Sequence, residues 1–205
     1  MKVAVLGGTG AFGSALARRL VEAGLEVSIG SREPERAAAT AAELGAARGA
    51  ANAHAVDGVD LVVLAVLASA ALDTAAELAD PIGETPVLSV ASEVRVAGGA
   101  AFPGDDPLSL AERAQELLRG PVVAGLHSLA AASLAAGKTA GDALVCGDDD
   151  AAKARALELA AELVTGRALD AGPLASARAL EGMTAVIVNL NRRYRGHAGL
   201  RIEGL

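Results

Sequence analysis

The stretch MKVAVLGGTGAFGSALARRL, Met1 to Leu20, decides the fold that we expect of this chain. Residues 3–6 are an apolar run typical of a buried strand, and an amphipathic helical pattern begins near Ala11. The turn between them has glycines at positions 8, 10 and 13, the GxGxxG spacing of a dinucleotide-binding fingerprint. The order of strand, glycine turn and helix therefore predicts a nucleotide site at the start of the chain.

Each glycine of this turn has a separate task in such a site. The first permits the tight turn, the second lets the backbone approach a pyrophosphate, and the third lets the helix pack closely on the strand. The unpaired amides at the start of the helix, with the positive end of its dipole, then attract the anion. The cofactor-binding residues that we predict here are Gly8, Thr9, Gly10, Ala11, Phe12 and Gly13.

Strand and helix patterns alternate along the rest of the chain, as in a parallel sheet with helices on both faces. The further strands that we expect are residues 26–30, 61–66, 86–90, 121–126, 143–146 and 167–170, with a weak signal for one more between 45 and 52. The expected helices are residues 34–44, 69–79, 108–118, one from the Asp148–Asp150 run to about 164, and an interrupted one over 174–194. Pro81 is expected to end the helix over 69–79, and the glycine- and proline-rich residues 91–107 to form an irregular loop.

These patterns place the chain in the α/β class, as a doubly wound, mostly parallel sheet of the Rossmann, NAD(P)-binding type with a small helical C-terminal part. We expect a dinucleotide-binding domain over residues 1–146. A smaller, mainly helical part over residues 147–205 is expected to close the cleft and to help form a homodimer. The cleft itself should lie beyond the carboxyl ends of the strands, where ligands bind in such sheets.

Composition excludes several other classes of function. The longest apolar run, residues 61–72, ends at Asp73 and is too short to cross a membrane, and no basic leader precedes an apolar stretch. We therefore expect a cytoplasmic protein with no membrane partner. A net charge of −7 argues against a nucleic-acid partner, which would need a basic surface. One cysteine and three scattered histidines give no metal-ligand spacing, so no metal is predicted.

The end of the second strand indicates which dinucleotide binds. NAD-binding folds usually place a carboxylate there, about 20 residues beyond the glycines, to accept from the ribose 2′-hydroxyl. This chain has Ser31 and Arg32 instead, with Arg36 one helical turn further on, and these groups would bind a 2′-phosphate. Glu33 lies between the two arginines, yet the flanking guanidinium groups favour NADP. The alternative is that both arginines are ordinary solvated charges at a helix start.

Several motifs along the chain carry a resemblance to a known family. They are VLGGTG at 5–10, GSR at 30–32, the strand that ends in His127, CGDDD at 146–150, DAGPL at 170–174 and NLNRRYRGHAGLRI at 189–202. With these motifs the sequence resembles the coenzyme F-420:NADP oxidoreductases, the NADPH-dependent F-420 reductases (F-420 is also written F420). The resemblance implies an enzyme that transfers a hydride between NADPH and a small-molecule redox substrate, an 8-hydroxy-5-deazaflavin. It also implies that four residues hold the adenosine phosphate end of NADP: Thr9, Ser31, Arg32 and Arg36.

A hydride can pass directly from a nicotinamide ring to a deazaflavin ring, so the protein has to stack two flat rings and exclude water. We predict no catalytic side chain. The residues that follow the strands are expected to line the two-ring site: Val66 and Leu67, Ser89 to Ser92, and His127 with Ser128. The cofactor contacts that we predict among them are Val66, Leu67, Ser89 and His127, with a buried structural histidine as the alternative for His127.

Two alternatives remain open for the second ligand. Leu67 with Ala68, and residues 89–92, differ from the pattern of the family at those places. An NADPH-dependent reductase of another flavin, a quinone or a metal chelate is therefore one alternative, and a non-catalytic module that senses NADP(H) is the other. A basic cluster near the C-terminus would meet an anionic tail of the deazaflavin or a second subunit, or would simply end a helix; it consists of Arg192, Arg193, Arg195 and His197.

Overall fold

The computed structural model describes residues 1–205 as alternating strands and helices. The ten strands are β1 (Lys2–Leu6), β2 (Glu26–Ser31), β3 (Arg48–Ala51), β4 (Leu61–Leu64), β5 (Val87–Ser89), β6 (Val94–Ala97), β7 (Ala100–Pro103), β8 (Val122–Gly125), β9 (Ala143–Gly147) and β10 (Ala168–Asp170). The nine α-helices are α1 (Ala11–Glu22), α2 (Pro34–Leu44), α3 (Asn52–Ala55), α4 (Ala68–Glu77), α5 (Ala79–Ile82), α6 (Leu110–Gln115), α7 (Ala131–Ala136), α8 (Asp150–Leu163) and α9 (Ala177–Tyr194). A short 3-10 helix, Leu174–Ser176, leads into α9. None of the helices is both long enough and apolar enough to cross a membrane.

Eight of the strands form one sheet in the order β10-β9-β8-β5-β4-β1-β2-β3. Neighbouring strands are parallel throughout, except that β8 and β9 run antiparallel. From β1 the chain first builds outward through β2 and β3, then returns to the other side of β1 with β4 and β5. Such a reversal of strand order leaves a crevice at the carboxyl ends of the central strands, where ligands bind. The predicted α/β class with a doubly wound, mostly parallel sheet is confirmed.

Side chains of the central strands point alternately to the two faces of the sheet and form two cores. On one face, Val3 and Val5 pack with α1, α2, α7 and α8. On the other face, Ala4 and Leu6 pack with α3 to α6 and with the start of α9. Both cores consist mainly of alanine, valine and leucine, since the chain has two phenylalanines, one tyrosine and no tryptophan. Small alanine side chains let these helices lie close to the sheet.

Residues 91–107, which we expected to be an irregular loop, contain a β-hairpin outside the main sheet. Strands β6 and β7 pair antiparallel across a turn at Gly98 and Gly99, whose φ angles are 56° and 80°. Left-handed backbone at both central positions is what the type I′ hairpin turn requires. The prediction was wrong because two strands of four residues are too short for their alternation to stand out among glycines and prolines.

Several helices also differ from the prediction. The helix expected over 69–79 is α4, which ends at Glu77, and Pro81 lies within the separate short helix α5. Proline is tolerated there because the amides of a first helical turn have no partner within the helix. Helix α7 was not predicted at all, since its six residues are too few to show a helical period.

The C-terminal residues complete one edge of the sheet and then cross its face. Helix α8 packs on β9 and β10, while α9 runs against β7 and β8. Asp142 fastens the tail that follows, because its carboxylate accepts from the amides of Arg167 and Ile202, both at 2.8 Å. These hydrogen bonds, together with the Arg167 guanidinium, lower the pKa of Asp142 to about 2. The expected division of the chain at residue 147 stays a prediction.

Helix α1 rests on the preceding turn through backbone contact at Gly13. A Cβ atom at Gly13 would lie 2.3 Å from the carbonyl oxygen of Gly7 and 3.0 Å from the Cα atom of Gly8. We expect Gly13→Ala to lower the free energy of unfolding by about 1–3 kcal/mol, because the turn and the helix would have to move apart.

Chemical denaturation measures this loss. Gly196→Ala is the control, since the nearest atom to a Cβ at Gly196 is 4.0 Å away. Equal stabilities of the two variants would contradict the importance of the contact at Gly13.

Candidate functional site

A cleft of about 550 Å³ opens at the carboxyl ends of β1, β2 and β4, beside the start of α1. This is the end of a parallel sheet at which ligands bind. The predicted cofactor residues that it brings together come from three separate segments of the sequence. The predicted cofactor residues that line it are Thr9, Gly10, Ala11, Phe12, Ser31, Arg32, Arg36, Val66 and Leu67.

Backbone hydrogen bonds hold the glycine turn of this cleft. The amides of Gly7 and Gly8 donate to the carbonyl of Gly30 at 3.1 and 3.2 Å, which ties the turn to the end of β2. The amide of Gly10 donates to the carbonyl of Gly7 at 2.9 Å. Gly10 precedes α1 as its N-cap, so no side chain caps this helix, and its first turn has no acidic residue. The free amides of that turn and the helix dipole therefore favour an anion in the cleft.

The end of β2 supplies the polar side chains of the cleft. Ser31 is buried, and its Oγ accepts a hydrogen bond from the amide of Glu33 at 3.1 Å. The side chain of Arg36 reaches back to the glycine turn, with Nη2 3.4 Å from the carbonyl oxygen of Thr9. Arg32 is exposed at the rim. Two guanidinium groups and one carboxylate thus border this part of the cleft, and the balance of charge favours a phosphate.

Asn52 is a residue of this cleft that sequence reasoning missed. It begins α3 directly after β3, and its Oδ1 atom is buried without a hydrogen-bond partner. It lies over the end of β2, where a Cβ atom at Gly30 would come within 2.9 Å of Oδ1. The weak strand signal over 45–52 gave no means of placing a side chain beside β2. The other lining residues that were not predicted are Gly7, Glu33, Ala65, Ala70, Thr74 and Ala131.

A second, smaller cleft of about 240 Å³ continues from the first. The two clefts share Phe12, Ala65, Val66 and Leu67 along their boundary. Leu67 is 80% exposed there, which leaves an apolar side chain uncovered at the junction. Nine of the twelve residues that line the second cleft are hydrophobic, so it suits a flat ring. Its remaining residues follow β4, β5 and β8 or lie on α9: Ala68, Val90, Ala91, Ser92, Leu126, His127, Leu129 and Thr184.

His127 lies in the second cleft just beyond the end of β8. The residue before it, Leu126, has a φ of 67°, a left-handed conformation that costs a leucine about 1–2 kcal/mol. His127 is 7% exposed, and neither ring nitrogen has a hydrogen-bond partner. Burial lowers the pKa of His127 to about 4, although the nearby carbonyl of Ala91 opposes the shift. The imidazole is therefore neutral at physiological pH.

Three of the predicted cofactor residues line neither cleft. Gly8 and Gly13 face the protein and not the cleft. A Cβ atom at Gly8 would come 2.9 Å from the carbonyl oxygen of Val5, and one at Gly13 would come 2.3 Å from that of Gly7. They shape the turn, and a direct contact of either with a ligand stays a prediction. Ser89 is buried inside β5 with an unpaired hydroxyl, and the serine that reaches the second cleft is Ser92.

Helix α9 brings Thr184 to the second cleft and is anchored on both sides of it. The buried carboxylate of Glu181 accepts from the amide of Ala111 at 3.3 Å, at the start of α6. Burial raises the pKa of Glu181 to about 7. Further along α9, the side-chain amide group of Asn189 makes two hydrogen bonds of 2.8 Å with the backbone of Ala101 in β7: it accepts from the N–H and donates to the carbonyl. These contacts join α9 to two elements that precede it by many residues, so no local sequence pattern marks Thr184 as a cleft residue.

The sequence of this chain has relatives along its full length. Residues 2–93 match the family described as NADP oxidoreductase coenzyme F420-dependent. The whole chain is 35% identical to the F420-dependent NADP reductase of Methanothermobacter thermautotrophicus and covers 96% of it. It is 33% identical to the F420-dependent NADP reductase of Methanocaldococcus jannaschii and covers 99% of it. The chain belongs to the F420-dependent NADP reductase family.

The fold agrees with this family. The chain matches a putative F420-dependent NADP-reductase from Arthrobacter sp. FB24 with a TM-score of 0.84 and 26% identity, over 100% of this chain and 99% of that one. The resemblance inferred from the motifs is therefore confirmed. Because the matches extend well past residue 93, kinship with the F420-dependent NADP reductases includes the segments of both clefts and not the glycine turn alone.

We expect the imidazole of His127 to stay neutral from pH 8 down to about pH 5, because burial lowers its pKa to about 4. A histidine in the unfolded chain titrates near 6.5. The stability that His127 contributes is thus present above that pH and is lost as the pH falls through about 4.

Nitrogen-15 NMR of labelled histidine checks the protonation state directly, with His127→Gln to assign the signal. Protonation of His127 close to pH 6.5 would contradict its burial in the second cleft.

Proposed function

We propose that this protein transfers a hydride between NADP(H) and the deazaflavin coenzyme F-420, the pair of molecules in the names of its relatives. The observation that carries the proposal is the continuity of the two clefts across Phe12, Val66 and Leu67. One ligand in each cleft would meet the other at this boundary. Contact between two rings, held in the right orientation, is what direct hydride transfer needs.

The first cleft fits NADP. The bare backbone at Gly10 and the free amides of α1 would receive the pyrophosphate. The hydroxyl of Ser31 and the guanidinium groups of Arg32 and Arg36 would hold the 2′-phosphate, with bidentate contacts open to the two arginines. The buried, unpaired Oδ1 atom of Asn52 supplies an acceptor beside them for a hydroxyl of the adenosine.

The second cleft fits the ring of a deazaflavin. Its lining is mainly apolar, and a ring placed against the exposed side chain of Leu67 would cover it. His127 offers a neutral imidazole, which can donate from one nitrogen and accept at the other. The closing part of the chain, residues 147–205, would cover this cleft with α9.

The two bound molecules would supply the chemistry, which is the transfer of a hydride (a hydrogen nucleus with two electrons) from the nicotinamide to the central ring of the deazaflavin. A proton from solvent then completes the reduction of the deazaflavin. The part of this chain is placement. Phe12 and Val66 form an apolar boundary between the clefts, and the glycine turn fixes the phosphates on one side of it. With both molecules bound, their rings would cover this boundary and exclude water from it, which would limit side reactions.

The direct test is to mix the protein with NADPH and oxidised F-420, whose visible absorbance is lost on reduction. We expect bleaching at catalytic concentrations of protein. Turnover of another flavin, a quinone or a ferric chelate, with none of F-420, would identify a reductase with a different acceptor. Tight binding of NADPH without turnover of any acceptor would identify a sensor. Either result would overturn the proposal.

We expect Arg32→Ala to weaken binding of NADPH by about 1.5–3 kcal/mol, the contribution of a hydrogen bond to a charged group, and to leave binding of NADH almost unchanged. The reason is that only NADPH carries the 2′-phosphate. Calorimetric titration of both nucleotides measures the difference.

Arg119→Ala is the matched control for this substitution. Arg119 is also an exposed arginine, but it pairs with Asp80 at 3.3 Å and with Glu84 at 3.9 Å and lines neither cleft. Equal losses of NADPH and NADH affinity in Arg32→Ala would refute the assignment of Arg32 to the 2′-phosphate.

We also propose that the protein acts in the cytoplasm as a homodimer. Val186, Leu190 and Tyr194 are exposed and recur every four positions on α9, so they share one face of the helix. Phe102 of the hairpin is also exposed and lies beside this face. Two copies can place this same surface together about a two-fold axis. The basic cluster borders it, since Arg192 donates to the carbonyl of Gly99 in the hairpin turn at 3.1 Å. A monomer mass in light scattering would contradict the dimer.

A further inference from the structure

One side chain joins the segments that surround the second cleft. The Oγ1 atom of Thr184, on α9, lies 2.7 Å from the Oγ atom of Ser92 and 3.0 Å from the carbonyl oxygen of His127. Ser92 follows β5, His127 follows β8, and all three residues line the cleft. A single hydroxyl on α9 therefore connects the two loops that form the walls of the second cleft.

The direction of both hydrogen bonds follows from the chemistry of the groups. A carbonyl oxygen can only accept, so the one hydroxyl hydrogen of Thr184 goes to His127. The bond between the two hydroxyls must then take its hydrogen from Ser92. Only the lone pairs of Ser92 remain for a ligand. In the cleft, Ser92 is an acceptor and not a donor.

The bond from Thr184 to the carbonyl of His127 acts on a strained turn. Leu126, directly before His127, has a φ of 67°, and its carbonyl accepts from the amide of Leu129 at 2.9 Å. The imidazole of His127 has no hydrogen-bond partner of its own, so its position depends on this backbone. Without the hydroxyl of Thr184, the carbonyl of His127 would lose its partner and the turn could relax.

We propose that Thr184 is a positioning residue for the second substrate: its hydroxyl holds the backbone of His127 and turns Ser92 into an acceptor, so that the cleft selects a ring with a hydrogen-bond donor on its edge. This inference deepens the proposed function and rests on it for the identity of the substrate. Helix α9, anchored through Glu181 and Asn189, provides the fixed support that a positioning residue needs.

The donor that Ser92 requires separates the classes of acceptor. Flavins and deazaflavins carry an imide N–H between two carbonyl groups on the edge of the ring system. Quinones and ferric chelates need not present such a donor, and without one they make no hydrogen bond to the lone pairs of Ser92. The arrangement of Thr184 and Ser92 therefore favours an imide-bearing ring.

Substitutions at Thr184 test the positioning role. Thr184→Val removes the hydroxyl and keeps the shape of the side chain, whereas Thr184→Ser keeps the hydroxyl. We expect Thr184→Val to raise the KM for F-420 about tenfold, the effect of one hydrogen bond, and to change kcat less than about twofold. Thr184→Ser should stay within about twofold of the original protein in both parameters.

Two further variants guard this test against loss of the fold. Ser92→Ala removes the acceptor itself and should raise the KM for F-420 by a similar factor. Thr40→Val is the control for the exchange of threonine by valine, because Thr40 lies on α2 and lines neither cleft. A KM for Thr184→Val equal to that of Thr40→Val, or a failure of Thr184→Ser to rescue, would overturn the inference.

A binding measurement tests the direction of the hydrogen bond without turnover. F-420 methylated on its imide nitrogen lacks the donor, so the original protein should bind it about tenfold more weakly than F-420, while Ser92→Ala, which lacks the acceptor, should bind both within about twofold. Quenching of F-420 fluorescence in the presence of NADP reports both affinities. Discrimination without turnover would overturn the proposed function and support this inference. Turnover without discrimination would overturn this inference alone.

Discussion

The carboxyl end of the sheet, where both clefts lie, depends on close packing of backbone against backbone around Gly7. A Cβ at Gly13 would come 2.3 Å from the carbonyl of Gly7, and a Cβ at Gly7 would come 2.5 Å from the carbonyl of Ala65, beyond the end of β4. Helix α1, the glycine turn and the chain after β4 are therefore stacked without side chains between them. This stacking fixes the free amides of α1 at a set distance from the residues that divide the two clefts, and close packing leaves it little freedom to vary.

The two clefts on either side of this stack are built in different ways. The first takes most of its polar groups from the glycine turn and from the residues at and just after the end of β2, two segments that one hydrogen-bonded pair of strands holds together. The second draws on chain segments that follow β4, β5 and β8 and on α9. The hydroxyl of Thr184 joins Ser92 and His127, which precede it by 92 and 57 residues. A change on α9 can thus alter the second cleft while the glycine turn stays as it is.

This difference explains how much the sequence predicted. The glycine turn, Ser31 and Arg32 could be found because a local motif carries them, and alternating apolar segments were enough for the class of the sheet. Asn52 and Thr184 could not be found in this way, since each reaches its cleft through pairing with distant parts of the chain. Ser89 was expected to line the site with the residues that follow its strand, but it is the last residue of β5 and its side chain is buried in the sheet. The hairpin and α7 were missed because each is too short for its period to show.

The region around α9 also has an unusual balance of buried ionisable groups. Burial lowers the pKa of His127 to about 4 and raises that of Glu181 to about 7, so between these values both groups are uncharged. The stability that His127 contributes is lost as the pH falls through about 4, and that of Glu181 is lost as the pH rises through about 7. Over the acidic range in which both groups are protonated differently in the folded and the unfolded chain, their effects on stability oppose each other. A rise in pH there increases the contribution of His127 and decreases that of Glu181. Between about pH 4 and pH 7 the second cleft and its supporting helix therefore hold no charge from either group, so the contacts between the two rings, and not a charge on these side chains, set the geometry of hydride transfer.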